Sequence, residues 1–487
     1  MTRSRPNLLL LVADHLSPRV MGAYGDSASP TPTMDAVAHR GVCFDRAYTP
    51  VPLCQPARAA LWSGLEAHQT GVRSNGSPGQ FPHNHWHVDQ PLADDVSTLG
   101  SLLQDAGYTA VHYGKQHDRG ALRGFHAEPE RETVIEGDPR FPLNHDTFRD
   151  RHTAERCIDF LRRHEDGPFI AVADFNNPHN ICGWIGAHAG LEDPPLDADG
   201  EDLPALPDNF AVDDWHHRPE AVAYLCCSHP RQTQAARWSP ELFRYYLRAY
   251  RHYCRRVDLE MDCVLQALRQ RSDVDNTVVM ILADHGDGLA SHGMVSKQTV
   301  LYEQFVNVPL IVAGPGVVAQ ASALSPLVSL LDVLPTCCEL AGVAVPEDKP
   351  GRSLVPWLGG EQPVWRDAVF AQWFTEWGHT VCPARMVRTD RFKYTVYRDP
   401  THASPQEELY DLHDDPGETR TLHHDPAHGP TLQAMRDRLA ARLAETEDFF
   451  WAEPTRVHPQ ARQHPRGFQH HRGPSAPDLP REPEAST

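Results

Sequence analysis

A strand that is apolar on both faces belongs in the middle of a covered sheet, and this chain holds several. Residues 7–13 read NLLLLVA and stop at Asp14-His15. Residues 109–113 run into Gly114-Lys115-Gln116-His117, and 169–175 read FIAVADF and stop at Asn176-Asn177-Pro178-His179. Residues 278–283 stop at Asp284-His285-Gly286-Asp287. Unbroken apolar strands mark a parallel sheet covered on both faces. Helical patterns lie between them, at 98–106, 153–163, 242–269 and 331–340, with a further strand at 308–312. The alternation predicts an α/β fold up to about residue 345: a mostly parallel central sheet sandwiched by helices. In such sheets ligands bind beyond the carboxyl ends of the strands. Asp14, Lys115, His117, His179, Asp284 and His285 all fall there.

The rest of the chain divides around this unit. Residues 181–240 are rich in Pro, Asp, Trp and His, and read as a loop-rich insertion within an α/β domain spanning 1–362. From 363 to 453 the pattern changes to short strands, expected at 368–373, 385–389, 392–397 and 408–412, followed by an amphipathic helix over 432–447. This predicts a smaller C-terminal α+β subdomain. The tail, 454–487, is rich in Pro, Arg and His with few aliphatic residues, and is expected to be disordered or wrapped on the surface. The formal charge of −20 disfavours nucleic acid and anionic membranes as partners. Eleven cysteines without ligand-like spacing indicate neither a zinc site nor a disulfide framework. The N-terminal apolar run is too short for a signal peptide and reads as a strand. A soluble, cytoplasmic protein is the expectation.

Cys54 stands in the stretch VPLCQPARAALWSG. Pro56 suits a first helical turn, and 57–61 is a good helix-forming run. Cys54 is thereby expected just before a helix N-terminus, with Arg58 one turn along on the same face. A helix N-terminus beside a guanidinium favours anions. Two carboxylates from separate strand ends, Asp14 and Asp284, can converge with His285 on one divalent cation.

Cys54-x-Pro56-x-Arg58 followed by Gly64 resembles the signature of the type I sulfatases, members of the alkaline phosphatase superfamily. The similarity extends well beyond it. LLLLVADH, then MGAYGD and TPTMDAVAHRG, resemble that family's opening, and Gly107-Tyr108-Thr109 with Gly114-Lys115-Gln116-His117 resembles its Gly-Lys-Trp-His turn. Pro178-His179 matches its x-Pro-His. Asp284-His285-Gly286, Ser291-His292-Gly293, Lys297, Tyr302-Glu303 and Val308-Pro309-Leu310-Ile311 follow its later motifs. Gly351-Arg352-Ser353-Leu354 and Glu408-Leu409-Tyr410-Asp411-Leu412 resemble structural landmarks of the family. The resemblance runs from about residue 5 to 450.

This resemblance implies an alkaline phosphatase-like fold and a sulfuric ester hydrolase. It implies that a formylglycine-generating enzyme converts Cys54 into formylglycine, an aldehyde whose hydrate is the nucleophile. The metal would be held by Asp14, residue 54, Asp284 and His285, with His15 as a possible further ligand because it stands where the family often has a second Asp. Calcium is implied first. Manganese is the alternative, since imidazole suits it better than calcium. Lys115, His179, Lys297 and, less directly, His292 would bind the sulfate. Arg58 and the metal would activate one hydroxyl of the hydrate, His179 would protonate the leaving alcohol, and His117 would help the second hydroxyl expel sulfate.

A phosphonate monoester or phosphodiester hydrolase on the same scaffold is the alternative reading, suggested by Asp284-His285 and by His15. A protein that only binds sulfated ligands is the non-enzymatic one. For the substrate, Asn177-Pro178-His179-Asn180-Ile181-Cys182 resembles bacterial carbohydrate sulfatases and favours a sulfated saccharide over a small aryl sulfate. The aromatic residues between Trp184 and Trp238, with His83, His85, Trp86 and His87, either line a pocket for a sugar or aryl group or pack as ordinary loop residues. Arg385 or Trp377 would come from the second domain to its mouth. The sequence does not fix the oligomeric state.

Overall fold

The computed structural model describes residues 5–75, 91–128, 145–193, 203–211, 217–297, 300–319, 323–374, 381–399, 401–453 and 455. The strands are, in chain order, β1 (Asn7–Ala13), β2 (Val42–Cys43), β3 (Ala47–Tyr48), β4 (Thr109–Gly114), β5 (His126–Glu128), β6 (Phe169–Phe175) and β7 (Thr277–Ala283). They continue with β8 (Leu310–Ala313), β9 (Val328–Ser329), β10 (Ala368–Trp373), β11 (Ala384–Thr389), β12 (Phe392–Tyr397) and β13 (Gln406–Asp411). Seven of them form one sheet in the order β2-β8-β7-β1-β6-β4-β5. The run β7-β1-β6-β4-β5 is parallel, and β8 pairs antiparallel with both β7 and β2.

Every residue of β1, β6 and β7 is buried. These are the long apolar runs of the sequence, and burial on both faces explains why they do not alternate. The order places the carboxyl ends of β7, β1, β6 and β4 side by side. Consecutive parallel neighbours end at one edge of the sheet, so the polar residues after them are delivered to one place.

The helix Pro240–Arg269 lies along this sheet, with Ser239 accepting from the Leu242 amide at its start. Its apolar face carries Phe243, Tyr246, Tyr250, Tyr253 and Val257, all buried. The helix His145–Arg163 begins eight residues before the expected 153. Its first turns carry few apolar residues, so no amphipathic pattern announces them. The stretch expected to be loop-rich contains helices at Ile181–Ala187, Glu220–Ser228 and Pro230–Gln234. Helices this short leave little periodicity to read. Trp184 and Trp238 do not line a pocket. They are buried, pack edge to face at 5.6 Å, and Trp238 also packs on Phe243 of the long helix.

Strands β10 to β13 form a separate antiparallel sheet with consecutive pairing, and the helix Gly429–Glu445 packs on it through Leu432, Met435, Leu439 and Leu443. Arg385 of β11 is not at the mouth of any site. It is buried and bonds both carboxylate oxygens of Asp448, at 2.6 and 2.8 Å, with Glu453 beside it at 3.3 Å. Trp377, the residues 83–87 and all of the tail but 455 lie outside the described residues. Among the described residues, no helix is long and apolar enough to cross a membrane.

Candidate active site

The helix Cys54–Ser63 stands at the shared edge of the four strands, and all ten of its residues are buried. Leu53 is extended, and Cys54 is the first helical residue rather than the one before it. The Gln55 amide, one of the helix's unpaired N-terminal donors, is taken by Asn75 Oδ1 at 2.9 Å. The helix stops at Gly64, whose φ of 68° is left-handed. A Cβ there would also come within 3.2 Å of Leu334, so the family-like glycine ends the helix and lets it pack closely.

Cys54 faces Asp14, Asp284 and His285. One ligand atom from each of the four lies within 4.8 Å of all the others. Cys54 Sγ is 3.1 Å from His285 Nε2 and 3.7 Å from Asp14 Oδ1. His285 Nδ1 is 2.9 Å from the carbonyl of Gly286. That bond fixes the tautomer: Nδ1 carries the proton and Nε2 presents its lone pair to the cluster. Burial, helped by Lys297 and opposed by Asp284, holds the His285 pKa down at about 4, so the ring is neutral near pH 7. The charge His285 carries in acid, then Arg58 and Lys115, hold the Asp284 pKa below its ordinary value against burial. Two carboxylates and a neutral imidazole converging on one point are a donor set that fits a divalent metal.

Arg58, one helical turn from Cys54, is buried among carboxylates. Its Nη1 bonds Asp174, its Nε is 3.1 Å from Asp284 and its Nη2 is 3.4 Å from Asp14. Asp174, a carboxylate within β6 that also receives His112 Nε2 at 3.2 Å, was not anticipated. An acidic residue inside an otherwise apolar strand is the signal that could have found it. Lys115 pairs closely with Asp14. Lys297 Nζ lies 2.9 Å from Cys54 Sγ and 2.7 Å from His179 Nε2. Burial raises the Cys54 pKa despite Lys297, so the encoded side chain is a neutral thiol and a poor nucleophile.

A cavity of about 520 Å³ opens onto these groups. Its walls include Cys54, Lys115, His117, His179 and Lys297. Burial, then the charges of nearby lysines and Arg58, lowers the pKa of His117. Burial, then Lys297 and Lys115, lowers that of His179. The structure therefore brings together Cys54, Arg58, Lys115, His117, His179, Lys297, Asp14, Asp284 and His285. His15 and His292 are set differently. His15 has a left-handed φ of 76°, its amide donates to Asp284 Oδ1 at 3.0 Å, and its ring is turned to Asp287, 3.2 Å away. It lies outside the four-residue cluster. His292 packs edge-on against Tyr302 with its Nε2 2.8 Å from the Gly417 carbonyl, and it is not among the cavity-lining residues. Arg149, His229 and Arg231 do line the cavity, and the sequence pattern gave no reason to choose them.

The chain as a whole resembles known proteins. The model of the sulfatase family matches residues 6–343, and that of the N-sulphoglucosamine sulphohydrolase C-terminal region matches 290–445. The chain is 45% identical over 482 residues to a Delta 4,5-hexuronate-2-O-sulfatase of Bacteroides thetaiotaomicron, covering 98% of this chain and 97% of that one. It is 26% identical over 463 residues to arylsulfatase K of Canis lupus familiaris, covering 86% and 79%. The solved structure of a 2-O GAG sulfatase matches with a TM-score of 0.90 at 44% identity, covering 97% of this chain and 99% of that one. A phosphonate monoester hydrolase of Agrobacterium radiobacter shares the fold at a TM-score of 0.71 and 22% identity, covering 92% and 97%. The chain belongs to the sulfatase family and is a sulfuric ester hydrolase with an alkaline phosphatase-like fold.

Proposed function

We propose that this enzyme hydrolyses the 2-O-sulfate ester of a hexuronate in a sulfated saccharide, using a formylglycine made from Cys54 and a divalent metal. The observation that carries the chemistry is the position of residue 54. It opens a helix, faces Asp14, Asp284 and His285, and has the Lys297 ammonium 2.9 Å from its Sγ at the floor of the cavity. The saccharide class rests on 45% identity over nearly the whole chain to a hexuronate-2-O-sulfatase. The phosphonate reading has only a shared fold behind it.

Asp14, Asp284, His285 and residue 54 would hold the metal, calcium first and manganese as the alternative. When bound, it would polarise an oxygen at residue 54 and neutralise charge on the sulfuryl group. A formylglycine hydrate would supply two hydroxyls on one carbon, one to attack sulfur and one to release sulfate afterwards. A formylglycine-generating enzyme would be the maturation partner.

The chain's own residues supply the rest. Arg58 presents a fixed positive charge beside residue 54, oriented by Asp174. Lys115 and Lys297 bind the sulfuryl oxygens and need not reorganise as charge develops. Lys297 donates to His179 Nε2 in the free enzyme, so a sulfate oxygen that accepts from Lys297 in its place frees that nitrogen. His179 would then carry a proton there and deliver it to the leaving oxygen. His117, which lines the same cavity, would accept the proton that accompanies sulfate release.

The test is sulfate release from a 4,5-unsaturated 2-O-sulfated uronyl disaccharide by protein co-expressed with the converting enzyme. Peptide mass spectrometry over Cys54 should show the thiol-to-aldehyde change, and Cys54→Ala should abolish turnover. Full turnover by Cys54→Ala, or by a protein whose Cys54 is wholly an unmodified thiol, would overturn the mechanism.

A further inference from the structure

Arg231 differs from the other cations around the cavity. Arg58 is saturated by carboxylates, Lys115 pairs with Asp14, and Lys297 is held by Cys54 and His179. Arg231 lines the same cavity, half-buried, and no carboxylate among the described residues lies within 4.0 Å of its guanidinium. Its side-chain partner is neutral: Nη1 donates to Gln234 Oε1 at 2.9 Å. The guanidinium is nonetheless seated. It packs over Gly186 of the neighbouring helix, where an added Cβ would come within 2.8 Å of Nη1. A side-chain amide one helical turn away and a glycine beneath it orient a charge that no carboxylate among the described residues compensates.

The proposed substrate carries a second anion besides its sulfate. In a pyranose uronate, C2 and C5 lie across the ring from each other, so the carboxylate on C5 points away from a sulfate on O2. A sulfate held by Lys115 and Lys297 directs that carboxylate to another part of the wall, and it needs its own cation there. Charge-assisted, two-pronged bonding of a carboxylate is what an oriented guanidinium offers and an ammonium does not. Arg149 is the other guanidinium of the cavity, and it is already engaged by other groups of the protein.

We propose that Arg231, held by Gln234 and seated over Gly186, binds the carboxylate of the uronic acid whose sulfate is cleaved, and so sets the preference for uronates. The proposal rests on the uronate reading above and adds the residue that would enforce it. Because the contact is to a non-reacting group, its loss should appear chiefly in KM.

The experiment compares kcat/KM of the matured, metal-loaded enzyme on the 4,5-unsaturated 2-O-sulfated uronyl disaccharide and on the methyl ester of the same compound. The wild type should prefer the acid by about 10- to 100-fold, the scale of one charge-assisted contact. Arg231→Gln should bring this ratio close to one, Arg231→Lys should restore part of it, and Arg149→Gln should keep it. An Arg231→Gln enzyme that retains the wild-type ratio, or a ratio that collapses in Arg149→Gln instead, overturns the assignment. Being a ratio measured within one protein, it does not depend on how much of a variant folds. A wild type that treats acid and ester alike would remove the uronate reading itself, and the role of Arg231 with it.

Discussion

Lys297 places its Nζ 2.9 Å from Cys54 Sγ, and the same nitrogen lies 2.7 Å from His179 Nε2. One ammonium thus bridges the residue proposed as the source of the nucleophile and the residue proposed to serve the leaving group. Burial opposes the Lys297 charge, but the groups around it, Cys54 first, raise its pKa above the ordinary value. The charge is present throughout the neutral range, and it is held rigidly where sulfuryl oxygens would bind.

Replacing that charge by an apolar group of similar length should be costly. Lys297→Met is expected to lower kcat by about 10²- to 10³-fold, the usual effect of removing one preorganised stabiliser of transition-state charge. Steady-state kinetics on the sulfated uronate would measure it. A change confined to KM would mean that Lys297 only binds substrate.

The same pair sets a pH dependence. In the free enzyme, burial and the charges of Lys297 and Lys115 hold the His179 pKa well below 6.5. A bound sulfate ester puts negative charge against both lysines and weakens their effect on the imidazole. The acid must be protonated to act, so activity falls as pH rises through its pKa. The falling limb of kcat/KM, which reports the free enzyme, should lie below pH 6.5. The falling limb of kcat, which reports the complex, should lie at higher pH. Coincident limbs in the two profiles would argue against His179 as the group titrating.

Asp174 should matter first for stability. Its Oδ2 meets both Arg58 and His112 with no exposure to water. Asp174→Ala leaves a buried guanidinium with one carboxylate fewer, and breaking such a pair costs about 3–5 kcal/mol. Asp14 and Asp284 still face Arg58, which places the expected loss near about 3 kcal/mol. Urea denaturation would read it as a lower midpoint. Asp174→Asn keeps the shape and should lose less.

The strand ends were legible because an apolar run that stops at charged residues has few physical explanations. Strands β1 and β6 appear at the residues read from sequence, and Asp14, His179 and Asp284 follow their strands as expected. The Cys54 helix was legible from its proline and alanines. Asp174 stood out only as an acidic residue in an apolar strand; its partner Arg58 is 116 residues away, and pairing at that distance leaves no local pattern of its own. His292 lies in a motif beside real cavity residues, yet its left-handed backbone, φ 57°, sends the ring toward Tyr302. Trp184 and Trp238 resembled pocket walls in a stretch without periodicity. They are core residues because the long helix Pro240–Arg269 offers them an apolar face. Arg231 sits on a five-residue helix in the same stretch, too short to show which side faces the cavity.

Glu453 provides a pH test away from the site. It closes the C-terminal sheet against Arg385, and burial first, then Asp448, raises its pKa from 4.5 to about 7 despite Arg385. Between those values the folded protein keeps a proton that the unfolded chain has released. The unfolded state then binds fewer protons than the folded one, so the free energy of unfolding falls as pH rises through this window. The group's contribution is intact below about pH 4.5 and is lost by about pH 7. The slope can reach about 1.4 kcal/mol per pH unit for one group. Glu453→Gln keeps an oxygen for Arg385 but cannot titrate, so its stability should fall less between about pH 5 and about pH 7.5 than that of the wild type. Parallel urea denaturation of the two proteins at both pH values isolates the difference. Equal losses in both would mean that Glu453 is ionised throughout, with Arg385 outweighing its burial.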